Sequence, residues 1–329
     1  MAMQTADPVL DLRDQRLIAA LQCDGRLSAE RAGHVLGLGP RTVHRRWQAL
    51  MAEGACRVIL RPSWPAAVGA LLLRIRVLGT QRDALAAALA AREDIPFIDL
   101  SASGDEILAV SLTRPGSRDH LVFRELPATR AVTSVGADTV LHVFAEAADW
   151  RHDVLSADER AALSSTPGPE DTPGPGEAEP DPTDRAVLAA LEDDARASAA
   201  AVAARTGRPE STVRRRLARL AAAGRLRTQA VADPRRLGLP VDANVMLRVA
   251  PDRLDAAGRA LAAHPAVHGA FATTGTANLQ AAVWMRDLEH LYRFVSQDLA
   301  GLGVEAVETV LIGHAYHRPG RGPRHRRPG

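Results

Sequence analysis

Three short stretches within the first sixty residues place their apolar side chains at helical spacing. Ser28 suits the N-cap of the second stretch, and Gly37 suits its C-terminal end. After a short turn, Pro40 suits the first position of the third stretch. The predicted helices are 11–23, 29–36 and 40–52. Their lengths, and the tight turn between the last two, predict a helix-turn-helix domain over residues 11–60.

Beyond residue 65 the pattern changes to alternating strands interrupted by two helical stretches. Strands are predicted at 69–77, 95–103, 107–112 and 132–144, with helices at 81–92 and 117–126. The same order returns later, with strands at 242–249, 267–274, 278–285 and 304–315 and helices at 252–263 and 288–302. This order of elements predicts a ferredoxin-like arrangement, in which an antiparallel sheet carries both helices on one face.

An internal repeat connects the two parts of the chain. Residues 11–60 and 181–230 align without a gap, and 18 of the 50 positions are identical. The identities include unlike residue types, such as Asp14 with Asp184 and Gly54 with Gly224, so a shared excess of alanine does not explain them. The sequence therefore predicts a duplicated unit.

The predicted fold class is α+β, with two winged helix-turn-helix heads that are each followed by a ferredoxin-like βαββαβ sandwich. The heads are residues 11–60 and 181–230, and the sandwiches are residues 66–145 and 238–317. Residues 146–180 are rich in Pro, Gly and acidic side chains, which predicts an extended or disordered linker. The basic tail, residues 318–329, is predicted to lack regular structure.

Composition narrows the function classes. A chain of 329 residues fits two to four domains, and its formal net charge of +2 requires any nucleic-acid footprint to be local. The two cysteines give neither a disulfide framework nor the spacing of a zinc site. No apolar run approaches the roughly 20 residues of a membrane span. We therefore expect a cytoplasmic protein with no membrane contact, no metal site and no cofactor.

The third helix of each head is the candidate DNA-reading element. In the first head, Val43, Trp47 and Leu50 form one apolar stripe, which leaves the polar residues facing outward. Arginine can read guanine in the major groove, and Ser, Thr and Arg also bind phosphates. The candidate DNA-binding residues are Arg41, Thr42, His44, Arg45 and Arg46 in the first head and Ser211, Thr212, Arg214, Arg215, Arg216 and Arg219 in the second.

The two candidate helices differ at their most exposed positions. His44 aligns with Arg214, and Arg41 aligns with Ser211. If both heads bind DNA, the two half-sites should therefore differ. The alternative is that the first head, which carries the weaker charge, has only a structural role.

The Asp–x–x–Asp first helix, the third helix PRTVHRRWQALMAEG and the ferredoxin-like domain that follows them resemble the Lrp/AsnC family of bacterial transcription regulators. The resemblance covers residues 11–144 and 181–317, whereas the usual family member has one such unit. It implies a non-enzymatic regulator that binds double-stranded promoter DNA. It also implies that the ferredoxin-like (RAM-type) domains pair, here within one chain, and it leaves open whether chains associate further.

In this family the ferredoxin-like part binds a small effector, commonly an amino acid, near a glycine-containing turn between its second and third strands. The resemblance places this effector site at Gly275, Thr276 and Asn278 in the second half. The corresponding turn of the first half, with Gly104 and Asp105, departs from the glycine–x–x–Asp/Asn pattern. Its carboxylates would repel the carboxylate of an amino acid but could receive its ammonium group.

Two other functions stay open. A minority of proteins with this build are similar to siroheme decarboxylases, and the candidate ligands or acid–base groups for such an enzyme are His264, His268, His314 and His317. His264 lies at a predicted helix end and His268 begins a strand, so the two do not share a helix face, which favours structural roles. The third function is a scaffold that binds an effector or a partner without DNA, and the outward arginines argue against it.

Overall fold

The computed structural model describes residues 8–61, 68–112, 125–164, 180–192 and 194–319. In chain order the elements are α1 (Leu12–Cys23), α2 (Ala29–Leu36), α3 (Pro40–Ala52), β1 (Cys56–Leu60), β2 (Leu71–Val77), α4 (Arg82–Ala90), β3 (Phe97–Ser101), β4 (Glu106–Ser111), α5 (Leu126–Ala128), β5 (Val132–Ala145), α6 (Ala157–Leu163), α7 (Pro182–Ala189), α8 (Ala199–Thr206), α9 (Glu210–Ala222), β6 (Thr228–Ala232), β7 (Val241–Val249), α10 (Leu254–Ala263), β8 (Val267–Thr273), β9 (Leu279–Met285), α11 (Leu288–Arg293) and β10 (Val304–His317).

The chain forms two compact units, and each unit combines parts from both halves of the sequence. The first unit contains residues 1–62 and 151–237, so it holds both helix-turn-helix heads. The second contains residues 63–150 and 238–329, so it holds both ferredoxin-like segments. The two heads thus associate with each other, and so do the two ferredoxin-like segments, although heads and segments alternate along the chain.

The helices of the first head begin and end within one residue of their predicted bounds. Ser28 caps α2 by accepting a hydrogen bond from the backbone N–H of Arg31, and Gly37 ends that helix in the left-handed region with φ 69°. In the second head, Ser198 caps α8 and Gly207 ends it with φ 65°. A non-glycine residue at either helix end would strain the backbone.

A two-stranded sheet joins the heads within the first unit. Strands β1 and β6 are antiparallel, and Val58 lies opposite Ala230. The N–H of Ala195 also donates to the carbonyl of Val58 at 2.9 Å. The sequence predicts the two heads but not this strand pairing.

Part of the predicted linker 146–180 is ordered, which corrects the start of that segment. Residues 157–163 form α6, whose capping box consists of Ser156 and Glu159. Leu163 is fully buried, and Glu159 forms an ion pair with Arg16 of the first head. Residues 151–164 therefore belong to the first unit, because a buried leucine and a capped helix anchor them there. Residues 165–179 lie outside the described residues.

The second unit is built on a closed barrel of eight strands in the order β10-β3-β4-β2-β5-β8-β9-β7. Within each segment the neighbours follow the ferredoxin-like order, β5-β2-β4-β3 and β10-β7-β9-β8. The two sheets are not separate, however. Strands β5 and β10, each of 14 residues, are long enough to pair with both segments: β5 with β2 and β8, and β10 with β7 and β3.

One face of each strand set packs against helices. In the first segment, Leu73 and Ile75 of β2 lie in a core with Leu89 of α4. In the second, Val245 and Leu247 of β7 lie in a core with residues that include Leu261 and Phe294. The alternation along β2 and β7 buries one side of the strand and leaves polar side chains on the other.

One predicted helix lies mostly outside the described residues, and another is shorter than predicted. The first is 117–126, of which only the last two residues are described, and α5 begins at Leu126. The stretch 288–302 is shorter than predicted: α11 passes into a π-helical turn at Phe294–Asp298, where Phe294 is buried. Across the described ranges, no helix is long and apolar enough to cross a membrane.

Candidate DNA-binding surface and effector turn

The third helices of the two heads, α3 and α9, bury the same positions. Val43, Trp47 and Leu50 are buried in α3, and their equivalents in α9 are Val213, Leu217 and Leu220. The Trp47 indole also donates to the carbonyl of Leu17 at 3.1 Å, which fixes α3 on α1. The exposed candidates are Arg41, His44, Arg45, Ser211, Arg214, Arg215 and Arg219, and the half-buried ones are Thr42, Arg46, Thr212 and Arg216.

Three of the candidate arginines, Arg46, Arg216 and Arg219, pair with carboxylates at the start of the first helix of their own head. Arg46 forms ion pairs with Asp11 at 3.1 Å and Asp14 at 2.7 Å. The backbone N–H of Asp14 and the Arg46 guanidinium hold the pKa of Asp11 below its usual range. Arg46 therefore links the start of α1 to α3, which makes it a structural residue of the first head rather than a free DNA contact.

The second head repeats this arrangement. Arg216 bridges Asp181 at 2.5 Å and Asp184 at 3.3 Å, and Arg219 also pairs with Asp184, whose side chain is only 2% exposed. A nearly buried carboxylate is costly without a cationic partner. Arg216 therefore stabilises the head by neutralising Asp184, and Arg219 contributes to the same ion pair although its side chain is more exposed.

The sequence contains a signal for these ion pairs. Asp11, Asp14 and Arg46 recur 170 positions later as Asp181, Asp184 and Arg216. The repeat shows that the three types were kept together, but spacing along the chain does not show that they touch.

A reciprocal pair of arginines joins the two heads, and the sequence analysis missed it. Arg26 donates to the carbonyls of Ala195 at 2.5 Å and Ala197 at 3.5 Å. Its repeat equivalent, Arg196, donates to the carbonyls of Gly25 at 2.6 Å and Leu27 at 3.1 Å. We call these two residues the arginine clasp.

The clasp is partly buried, and burial lowers the pKa of both guanidinium groups. Arg196 also lies over the ring of Trp47 in α3, 4.7 Å from its centroid. The clasp and the β1–β6 pairing together connect α3 to the second head.

In the second unit, the predicted effector turn lies between β8 and β9. Gly275 has φ 92°, a conformation that favours glycine, and Thr276 is exposed. The Asn278 side chain is already bonded at both ends, since it accepts from the N–H of Val249 at 2.9 Å and donates to the carbonyl of Val249 at 2.8 Å. Asn278 therefore holds the turn against β7.

The first-segment turn, between β3 and β4, satisfies its polar groups locally. Gly104 has φ 85°, and its carbonyl accepts from Arg82 at 3.3 Å. Asp105 accepts from the Ser103 hydroxyl, which holds the pKa of Asp105 below its usual range. The two turns are thus similar in backbone and different in chemistry.

Two other polar groups near these turns were not among the sequence candidates. Asp138 of β5 lies against Gly275, where any β-carbon would overlap its carboxylate. Arg74 of β2 bonds to Glu106 of β4 at 2.7 Å and to Glu308 of β10 at 2.8 Å. No sequence signal connects these residues, because the strands that bring them together are far apart along the chain.

The histidines offered as enzyme ligands do not form a metal cluster. The described part of the chain contains no group of three or more metal-ligating side chains. Burial lowers the pKa of His268 to about 3, and its ring stacks on Trp284 with centroids 3.8 Å apart. His268 is therefore a neutral, packed side chain at neutral pH.

Comparisons with known proteins agree with this architecture. The family model for the Lrp/AsnC ligand-binding domain matches residues 242–319. A winged helix-turn-helix model matches residues 180–227, and the AsnC-type helix-turn-helix model matches residues 10–51. The matched ranges cover both heads and the second ferredoxin-like segment.

Among curated proteins, an uncharacterized HTH-type transcriptional regulator of Pyrococcus horikoshii is 31% identical over 134 residues, covering 40% of this chain and 85% of that protein. A second such regulator, of Pyrococcus abyssi, is 32% identical over 134 residues with the same coverage. Among solved structures, the siroheme decarboxylase NirDL is similar in fold with a TM-score of 0.54 and 12% identity, over 93% of this chain and 92% of that chain. At that identity the likeness shows the fold. The sequence relatives and the domain models together show that this chain belongs to the Lrp/AsnC family of helix-turn-helix transcriptional regulators.

Proposed function

We propose that this regulator is a fused pair of family units, whose two heads read two different half-sites of one DNA operator and whose barrel binds a small effector. The observation that carries the proposal is that α3 and α9 bury the same three positions and expose the same outer positions. Both helices thus offer a polar, basic face from one compact unit.

The duplication itself has two supports. The heads share 18 of 50 aligned residues, and the strand order of the two barrel segments is the same. In this interpretation the two ferredoxin-like segments of one chain pair with each other as the domains of two separate subunits would. The pairing is made by β5 with β8 and by β10 with β3. Intrachain pairing needs no second molecule, so it should not depend on protein concentration.

The DNA contacts that we propose are exposed and half-buried polar residues of α3 and α9, and they exclude Arg46, Arg216 and Arg219, which pair with the first helix of their own head. They are Arg41, Thr42, His44 and Arg45 in α3 and Ser211, Thr212, Arg214 and Arg215 in α9. Arg214 also pairs with Glu210, an exposed i,i+4 contact that is weak enough to exchange for a phosphate. Since these sets differ in residue type, the preferred operator should be asymmetric.

The effector site that we propose is the Gly275 turn. The left-handed glycine keeps the turn free of a side chain, and Asn278 holds it in place. The family's effectors suggest an amino acid, which the polar groups near this turn suit.

DNA binding by the purified protein tests the regulator proposal. Fluorescence anisotropy on the promoter region of its own gene, over a salt series, should give affinity that falls steeply with salt. Arg45→Ala and Arg215→Ala should each reduce the salt slope by about 1. Arg259→Ala is the matched control, because it removes an exposed arginine from the other unit.

Footprinting should then reveal two protected half-sites of different sequence. Salt-insensitive or absent binding by folded protein would contradict the proposal. Equal losses for Arg259→Ala and the head variants would show that general charge, not the recognition helices, drives the affinity.

A second candidate function is tetrapyrrole chemistry, which rests on the similarity in fold to NirDL over nearly the whole chain. Against it, His268 is packed on Trp284 and its pKa is lowered to about 3 by burial. An absorption spectrum after incubation with iron-uroporphyrin distinguishes the two: a stoichiometric Soret band that Trp284→Ala or His268→Ala abolishes would favour the enzyme.

A further inference from the structure

The turn that carries Gly275 has a carboxylate beside it that makes no ion pair among the described residues. Asp138 lies against Gly275, and its carboxylate accepts a long hydrogen bond of 3.4 Å from the Gln280 side-chain amide. Burial raises the pKa of Asp138 above its usual range, and the charge of Arg74, which is too far away for an ion pair, lowers that pKa by less than burial raises it. A half-buried carboxylate in this state gains most from a ligand that brings a positive charge.

The same turn offers hydrogen-bond donors. Thr274 is bonded to Thr139 of β5 through its backbone N–H at 2.9 Å and its hydroxyl at 2.8 Å, which fixes the turn. The next two backbone N–H groups, of Gly275 and Thr276, make no backbone hydrogen bond within the described ranges, and both residues are exposed. Successive free N–H groups suit a carboxylate. One acceptor and two donors therefore lie together.

Strand register identifies the equivalent positions in the first segment. β2 ends at the buried Val77 and β7 at the buried Val249, each just before the helix that covers its sheet. Leu72 and Asn244 lie the same number of residues before these strand ends, so they occupy equivalent positions. Leu72 lies opposite Asp138 and Asn244 lies opposite Val310, so Val310 is the equivalent of Asp138.

The same register relates the second polar group. Arg74 corresponds to Met246 by its distance from the strand end. Arg74 lies opposite Leu108 and Met246 lies opposite Gln280, so Leu108 is the equivalent of Gln280. Where the second segment has Asp138 and Gln280, the first segment has two apolar side chains.

The first segment also carries its own cation. Arg74 bonds to both oxygens of Glu308, at 2.8 Å each, and to Glu106, whose side chain is 8% exposed. Glu106 corresponds to Asn278, the residue that holds the other turn. The guanidinium therefore satisfies both nearby carboxylates, and a ligand ammonium would have to displace it at the cost of an unpaired, nearly buried charge.

We infer that the barrel has one effector site per chain, at the Gly275 turn, where Asp138 receives the ammonium group of an α-amino acid and the Gly275 and Thr276 N–H groups receive its carboxylate. The first-segment turn does not bind an amino acid, because Val310 and Leu108 stand where the second segment has Asp138 and Gln280. Arg74 also already neutralises the carboxylates next to that turn. The inference rests on the proposed effector function and adds to it the residue that recognises the ammonium group and the number of sites per chain.

Calorimetric titration of the full chain with each of the twenty L-amino acids, after a thermal-shift screen, tests the inference. At least one should bind with a stoichiometry of one per chain, and its 2-oxo acid counterpart, which lacks the ammonium, should not. Asp138→Asn should weaken binding by about 10- to 100-fold, the loss of a charge-assisted hydrogen bond. Val310→Ala, at the equivalent position, should leave the affinity unchanged.

The inference is overturned by two ligands per chain, by equal binding of the 2-oxo acid, by unaltered affinity in Asp138→Asn, or by the absence of binding by any of the twenty. An unchanged melting temperature of ligand-free Asp138→Asn confirms that the variant is folded. Anisotropy on promoter DNA with the same preparations separates the two levels of the argument: DNA binding without amino-acid binding contradicts only the effector proposals, whereas loss of DNA binding in the wild type contradicts the regulator itself.

Discussion

The arginine clasp gives a quantitative prediction for the first unit. Arg196→Ala removes two guanidinium–carbonyl bonds and the contact with the Trp47 ring. It leaves the carbonyls of Gly25 and Leu27 without these donors, and both residues are buried. We therefore expect a loss of stability that exceeds the effect of an ordinary surface substitution.

The magnitude follows from opposing effects. Two hydrogen bonds from a charged donor contribute about 3–6 kcal/mol together, and the cation–π contact contributes about 0.5–1 kcal/mol. Removing the arginine also removes the desolvation cost of a partly buried guanidinium, which offsets a good part of that sum. The expected net loss in the free energy of unfolding is about 2–4 kcal/mol.

Two further variants refine this prediction. Arg196→Lys keeps the charge but not the planar fork that reaches two carbonyls, so it should recover less than half of the loss. The double variant Arg26→Ala, Arg196→Ala should lose more than the sum of the single variants, because each single variant also relieves the repulsion between the two charges and the sum counts that relief twice.

Urea unfolding followed by fluorescence gives the free energies, and hydrogen-exchange mass spectrometry on peptides covering 18–28 and 194–204 assigns the change to the first unit. Arg205→Ala is the matched control, since Arg205 is an exposed arginine of α8 in the same head. A loss below about 0.5 kcal/mol for Arg196→Ala, the range of ordinary surface substitutions, would refute the reasoning.

Three other predictions concern the operator, the barrel and pH. The double variant Arg41→Ser, His44→Arg gives α3 the same residues as α9 at the proposed DNA-contact positions. Anisotropy should then show a lost preference for the asymmetric operator over a symmetric one built from the second half-site, and an unchanged preference would show that these positions do not read bases. Gly258→Ala should lower the free energy of unfolding by about 1–3 kcal/mol, and with it the melting temperature, because the new methyl would overlap the Phe144 ring. Equal melting temperatures of the two proteins would contradict that packing. Since burial lowers the pKa of His268 to about 3, the unfolded chain takes up a proton first as pH falls below 6.5, and stability should fall between pH 6.5 and 4. His268→Phe should flatten that part of the urea-midpoint profile, and a profile as steep as the wild type's would assign the slope to other groups.

Local patterns were sufficient for the elements of this protein. Helical spacing, the Ser28 cap and the helix end at Gly37 predicted the helices of the first head, and the same apolar stripe predicted the third helix of the second head, since caps and apolar stripes act within a few residues. The alternation of the second unit predicted its strand order, because the side-chain period of a strand is visible along the chain. The resemblance in these motifs led to the family, which the comparisons confirm.

The candidate sites were predicted less completely. Arg45 and Arg215 were assigned from an exposed helix face, and the structure leaves them exposed. Arg46 had the same appearance in sequence, yet it lies within 2.7 Å of Asp14, a residue 32 positions earlier. Whether an arginine is free for DNA depends on such a contact, which periodicity does not encode.

The sequence by itself determined the helices, the strands, the repeat and the arginine-rich faces, because each follows from interactions between near neighbours or from a direct comparison of residues. Only the tertiary structure decided that the heads share a unit through Arg26 and Arg196, that eight strands close one barrel, and that Asp138 lies beside Gly275. The contacts between the heads, between the two barrel segments and between Asp138 and Gly275 join residues 125 or more positions apart along the chain. Their formation depends on which surfaces bury the most apolar area and satisfy the most polar groups together, a property of the packed chain and not of any one stretch.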